Sequence, residues 1–152
     1  MLQDESLERT TVYFTHYLFE AYQKTGNIEA FFKRLQMWLD MPKIGLKTTF
    51  EMPEPSRSDC HAWGAHPLYH YFATILGIRP AGLGFKQVII TPLLGPLQQA
   101  GGKLVHPDGV IEVDFQQQEG SLHGKISLPP GVIGFLVYNG QSLPLREGSQ
   151  TF

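Results

Sequence analysis

Apolar residues in the first forty positions recur at helical spacing, whereas beyond Phe85 they alternate with polar ones in short runs. Ile28, Phe31, Phe32, Leu35, Trp38 and Leu39 fall on one continuous helical stripe, which predicts a helix over 28–40. Lys33, Arg34 and Gln36 take its opposite face, and Pro42 stops it. Residues 9–24 predict an earlier helix whose apolar surface (Val12, Tyr13, Tyr17, Phe19, Ala21, Tyr22) is broad, as in a helix buried among others. Between the two, Gly26 suits a left-handed C-terminal cap and Asn27 the next N-cap. A third helix is predicted over 58–76 from Leu68, Phe72, Ile75 and Leu76, with Ser58 or Asp59 as its cap. Gly64 and Pro67 are awkward inside it, and Pro67 should bend it. Gly77 ends that helix, and IRPAGLG reads as a linker.

From Phe85 the period changes to two. KQVIITP, VIEVDF, SLHGKISL, VIGFLVYN and LPLREGSQTF read as strands, separated by the turn signals PDG, QEG, PPG and NG. Such spacing predicts an antiparallel β-sandwich. The fold class expected is therefore α+β in two parts, helices over 1–83 and a sandwich over 84–152. Three helices this apolar do not bury their own surface. They are expected to come from a larger helical array, and their exposed faces are where an oligomer would form.

Composition narrows the partners. Twelve basic against fourteen acidic residues among 152 give no electrostatic reason to expect nucleic acid or an anionic membrane. No apolar run reaches the roughly 18 residues of a membrane-spanning helix. The single cysteine, Cys60, excludes an intrachain disulfide. The N-terminal MLQDESLERT lacks the order of a signal peptide, which leaves the compartment, periplasm or cytoplasm, open.

Chemistry concentrates in LKTTFEMPEPSRSDCHAWGAHPLYHY, residues 46–71. A zinc site could be drawn from Cys60, His61, His66 and His70, with His16 nearby, but the spacing matches no standard ligand pattern. Histidines hydrogen-bonded at a helix surface are the simpler reading, and no metal is expected. Cys60 and His61 diverge by about 100° on a helix, poorly arranged for proton transfer, so Cys60 reads as a small buried residue. The carboxylates carry more. Glu51 and Glu54 share a Pro-rich loop with Arg57, His61 and Trp63. Carboxylate, imidazole and indole together suit a sugar site, where an aromatic ring stacks on the sugar and a carboxylate activates water. A solvated loop with a salt bridge to Arg57 is the plain alternative.

The order TTFE, then SDCHAWGAHPLYHYFATILGIRP, then GFKQVIITPLLGPLQQAGG resembles the C-terminal end of bacterial alpha-L-rhamnosidases, inverting glycoside hydrolases. The resemblance implies that residues 1–83 are the last helices of an (α/α)6 six-hairpin barrel and 84–152 the β-sandwich that follows it. It implies terminal alpha-L-rhamnose as substrate, in a rhamnose-containing oligosaccharide or glycoside. Glu51 would match the general base, with Phe50 where a Trp is frequent, and His61 the sugar-contacting histidine. Glu54 lies close enough in EMPEP to take the base's role instead, and Trp63 would line the pocket or sit in the core. The family's general acid lies far upstream, so a chain of this extent should be inactive alone. No cofactor is implied.

Two other classes compete. A non-catalytic carbohydrate-binding module would show a row of exposed aromatic residues on one sheet face, whereas Phe115, Phe135 and Tyr138 are expected in the core. A structural or assembly domain would self-associate through its helical faces.

Overall fold

A computed structural model describes residues 9–152, and the first eight residues of the helical part expected over 1–83 lie outside the described residues. The packing divides the chain into two compact units between Pro67 and Leu68.

The first unit opens with α1, Thr15–Thr25, and α2, Ile28–Asp40. The helix expected from residue 9 starts later, because Thr10, Thr11 and Val12 are β-branched and helix-averse. A turn forms there instead, in which both the amide and the hydroxyl of Thr15 donate to the Thr11 carbonyl, at 2.9 and 2.7 Å. The junction between the helices follows the sequence expectation. Gly26 is left-handed at φ 67°, and the Asn27 side chain accepts from the Ala30 amide at 3.2 Å. Arg34 departs from it: instead of standing on the outer face, its guanidinium donates to the Thr15 hydroxyl at 2.8 Å and to the Thr10 carbonyl at 2.6 Å. That position ties α2 to the start of α1, and partial burial pushes the guanidinium pKa down.

A 3₁₀ turn, Met41–Ile44, follows α2 and leads into the loop that carries Glu51. Val12, Met41 and Phe50 form a buried cluster, with Met37, Trp38 and Leu46 packed against it. Unpartnered apolar surface remains: Leu39 is 56% and Ile44 63% exposed.

The third helix of the sequence reading is broken. Residues Ala62–Ala65 make a 3₁₀ turn, α3 spans only Pro67–His70, and Tyr71–Ile75 continues as a π-helical turn. Pro67 is the physical cause. With no amide hydrogen it cannot continue a helix, but it is well suited to the first position of a new one.

The second unit is a sandwich of two four-stranded sheets. One has the order β1 (Ile78–Pro80), β2 (Gln87–Ile90), β6 (Ile133–Tyr138), β7 (Gln141–Leu145). The other has β3 (Gln99–His106), β4 (Gly109–Gln118), β5 (Ser121–Leu128), β8 (Gly148–Thr151). Alternation places Ile111, Val113 and Phe115 of β4 inside, with Leu122, Ile126 and Leu128 of β5 and Val88, Ile90 and Leu136 of the first sheet. Three features were not expected. The stretch read as a linker contributes β1. The run QAGGKLVH is strand β3, although its two glycines weaken any strand signal. The pair β2–β6 is parallel, within an otherwise antiparallel arrangement.

The Gly84-Phe85-Lys86 segment is explained structurally. Phe85 is left-handed at φ 60°, and its carbonyl accepts from Nε2 of buried His106 at 3.0 Å, while Lys86 pairs with Asp108 at 2.6 Å. The Asp108 amide donates to the other ring nitrogen of His106 at 3.1 Å, which fixes the imidazole as the Nε2–H tautomer.

Candidate functional site

Glu51 and His61 are brought together by a closed loop. The His61 amide donates to the Thr49 carbonyl at 2.8 Å, and the Thr49 hydroxyl donates back to the His61 carbonyl at 2.9 Å. One rung further, the Glu51 amide donates to the Ser58 carbonyl at 2.8 Å. Residues 49–51 and 58–61 thus run side by side like two short strands. Phe50 points into the core at 5% exposure and anchors them, so its neighbours Thr49 and Glu51 face the other way.

Within this frame the Glu51 side chain is buried at 9% exposure. One carboxylate oxygen pairs with Arg57, and the other lies 4.0 Å from Nδ1 of His61. The salt bridge to Arg57 is therefore present, but its carboxylate is not solvated. Glu54 is exposed, and its carboxylate accepts from the Ser56 amide two residues on, at 2.9 Å.

His61 is extended (φ −122°, ψ 118°) at the entrance of the 3₁₀ turn. Its ring lies 3.9 Å, centroid to centroid, from that of Trp63, which is 42% exposed rather than core. The turn is fixed by Trp38, whose indole N–H donates to the Gly64 carbonyl at 2.7 Å. A side chain on Gly64 would come within 2.9 Å of the Phe50 carbonyl oxygen, so only glycine lets the turn lie on the Glu51 segment.

The remaining histidines have other tasks. His66 packs edge-on against Phe19 and Trp38, and its Nε2 donates to the Val12 carbonyl at 3.0 Å. Burial pushes its pKa down. His70 is fully buried, not at a helix surface, with Nδ1 3.0 Å from the Thr74 hydroxyl. Cys60 is exposed, contrary to the buried role read from sequence, because the segment around it is loop and not helix. Of the strand aromatics expected in the core, Phe115 is fully buried, but Phe135 is 51% exposed.

One group was missed in the sequence. Tyr13 lies 5.6 Å from Trp63, edge to face, and is itself against Phe14 and Tyr17. Helical periodicity alone placed it with the general apolar surface of the first helix.

Among the described residues, no helix is long and apolar enough to cross a membrane.

Comparison with known proteins bears on the second unit first. Residues 77–151 match the family described as bacterial alpha-L-rhamnosidase C-terminal domain. A comparison with curated proteins finds no match. Among solved structures, the alpha-L-rhamnosidase of Dictyoglumus thermophilum is similar over 92% of this chain and 20% of its own, at 18% identity and a TM-score of 0.79. A GH78 family rhamnosidase of Bacillus sp. GL1 is similar over 83% of this chain and 16% of its own, at 26% identity and a TM-score of 0.70. The Streptomyces avermitilis alpha-L-rhamnosidase complexed with L-rhamnose is similar over 60% of this chain and 11% of its own, at 24% identity and a TM-score of 0.53. The chain thus spans a fifth or less of the length of these structures. Glu51, His61 and Trp63 lie ahead of the matched domain. Residues 77–151 are thus similar to the C-terminal domain of bacterial alpha-L-rhamnosidases, and the fold of the chain is similar to the corresponding part of these solved structures.

Proposed function

We propose that this chain is the C-terminal part of a glycoside hydrolase that removes terminal alpha-L-rhamnose with inversion, and that its loop 49–63 forms one wall of the sugar site. The observation that carries this reading is the buried Glu51 carboxylate, set between Arg57 and His61 with a half-exposed Trp63 alongside. In this reading residues up to 83 are the last helices of an (α/α)6 barrel, which accounts for the apolar surface left open at Leu39 and Ile44.

Glu51 is the general base. It takes a proton from water as the water oxygen bonds to the anomeric carbon, while the bond from that carbon to the leaving oxygen breaks. The leaving oxygen collects its proton from an acid on the upstream chain, about 6.5–9.5 Å across the bond from Glu51. Arg57 holds one carboxylate oxygen and leaves the other to face His61 and the incoming water. His61 binds a rhamnose hydroxyl, and Trp63 stacks on the apolar face of the ring. Glu54 is solvated and bonded to its own turn, which supports a local structural role for it.

Nuclear magnetic resonance of the chain titrated with L-rhamnose tests the wall directly. The Trp63 indole and His61 ring signals should shift on titration, and L-glucose should leave them in place. Equal response to both sugars, or to neither, would reject a rhamnose site here.

A further inference from the structure

Strand β3 is an edge of its sheet, and the π-helical turn Tyr71–Ile75 packs beside it. A Cβ on Gly102 would lie 3.1 Å from side-chain atoms of both Leu76 and Phe72, so this glycine lets the strand lie close against them. The close fit brings the Tyr71 hydroxyl to the Gly101 carbonyl, to which it donates at 2.7 Å. Gly101 itself opposes Asp114 of β4, and Lys103 opposes Glu112. Since Ile111, Val113 and Phe115 point into the core, Glu112 and Asp114 stand on the outer face of the sheet with Gln99, Gly101 and Lys103. A Cβ on Gly101 would come within 2.9 Å of the Val113 carbonyl oxygen, so the strands meet too closely there for a side chain. The consequence is a solvent-open recess of about 500 Å³, lined by Tyr71, Gln99, Gly101, Lys103, Glu112 and Asp114 among others.

We propose that this recess is a non-catalytic saccharide site of the sandwich, which holds a pyranose by two adjacent hydroxyls between the Asp114 carboxylate and the Lys103 ammonium. The site goes beyond the reading of Glu51 and shares no residue with it. Its chemistry selects the ligand. On the outer face Lys103 pairs with Glu112 at 3.3 Å, and Lys125 of β5 opposes Asp114, so two cations alternate with two anions. That balance favours no simple anion or cation. An apolar ligand would strip water from these charges without replacing its hydrogen bonds. A hydroxyl both donates and accepts, so a pair of them can give a proton to Asp114 and take one from Lys103, with the Gln99 amide able to do either. The Tyr71 hydroxyl spends its hydrogen on Gly101, which leaves its oxygen to accept, and its half-buried ring offers an edge of apolar contact. A solvated sheet face is the plain alternative, but a flat face carries a side chain at each outward position, whereas here one is missing opposite Asp114.

The test titrates the chain in turn with L-rhamnose, L-glucose, cyclohexanol and calcium chloride, following the Gly101 and Asp114 amide signals and the Tyr71 ring by nuclear magnetic resonance. An open recess that grips adjacent hydroxyls should accept both sugars, so these signals should shift with each and saturate with a Kd of about 1–30 mM. Cyclohexanol, with one hydroxyl, and calcium chloride should leave them in place. Asp114→Ala and Lys103→Ala, both at exposed positions, should each weaken sugar binding by about tenfold. No saturating response to either sugar up to about 100 mM would overturn the site. An equal response to cyclohexanol would reduce it to apolar contact with Tyr71, and a saturating response to calcium chloride would make it a cation site; either overturns the saccharide assignment. Sugar binding unchanged in both variants would overturn it as well. The Trp63 and His61 signals report on the Glu51 wall separately, so each reading can fail without the other. The wild-type titrations decide these outcomes even where a variant does not fold.

Discussion

At the scale of single residues, what separates Glu51 from Glu54 is the neighbour before it. Phe50 is committed to the core, and that commitment fixes the direction and burial of Glu51. Glu54 follows Pro53 and precedes Pro55 with no apolar anchor beside it, and it stays in solvent. Phe50, the residue before Glu51 in TTFE, is thus its physical support. Glu51 and His61 stood in one loop in the sequence, but what brings them together was not legible there, since the Thr49–His61 hydrogen bonds span twelve residues. Arg34 and Cys60 were misplaced because helical periodicity says nothing about which polar residue bridges two helices or about segments that are not helical. His66 yields a prediction at this scale. Its folded pKa is depressed by burial, with His16 and Arg34 adding to the effect against the Val12 carbonyl. The unfolded chain therefore binds the proton more readily, and stability is full above about pH 6.5 and falls as pH drops through the lower folded value. Urea denaturation across pH 7.5 to about 5 should show this loss in the wild type and a shallower one in His66→Gln.

At the scale of elements, the 3₁₀ turn Ala62–Ala65 is where the site is most sensitive to packing. It is pinned by the Trp38 indole and lies against the Phe50 backbone at Gly64. Gly64→Ala must push the turn off that backbone. A cost of about 1–3 kcal/mol is expected, measured as a lower urea midpoint, together with weaker rhamnose binding as Trp63 and His61 move. Helix α2 and strands β4, β5 and β6 were legible because each repeats its period over several turns or alternations. Strand β3 was not, because Gly101 and Gly102 interrupt the apolar alternation that would announce it. The parallel β2–β6 pair was beyond reach for a different reason. Strand direction is set by long-range register, here Gln87 to Ile133, and leaves no local mark.

At the scale of the whole molecule, the two units carry different parts of the account. The sandwich has its own alternating core and matches the rhamnosidase C-terminal domain over nearly its full extent. The helical unit carries the proposed chemistry and also the exposed Tyr13, Phe14, Tyr17, Leu39 and Ile44. Inversion needs two carboxyl groups about 6.5–9.5 Å apart, and the proposed mechanism takes only one of them from this chain. The 152-residue chain alone should accordingly release no detectable 4-nitrophenol from 4-nitrophenyl alpha-L-rhamnoside. The central claim is the proposal that Glu51 activates the attacking water, and the direct measurement is kcat on that substrate in the longer hydrolase proposed to contain this chain. Glu51→Gln should lower kcat by about 10²–10⁴-fold, and Glu54→Gln should stay within about threefold of wild type. A fully active Glu51→Gln enzyme beside an inactive Glu54→Gln enzyme would contradict the account.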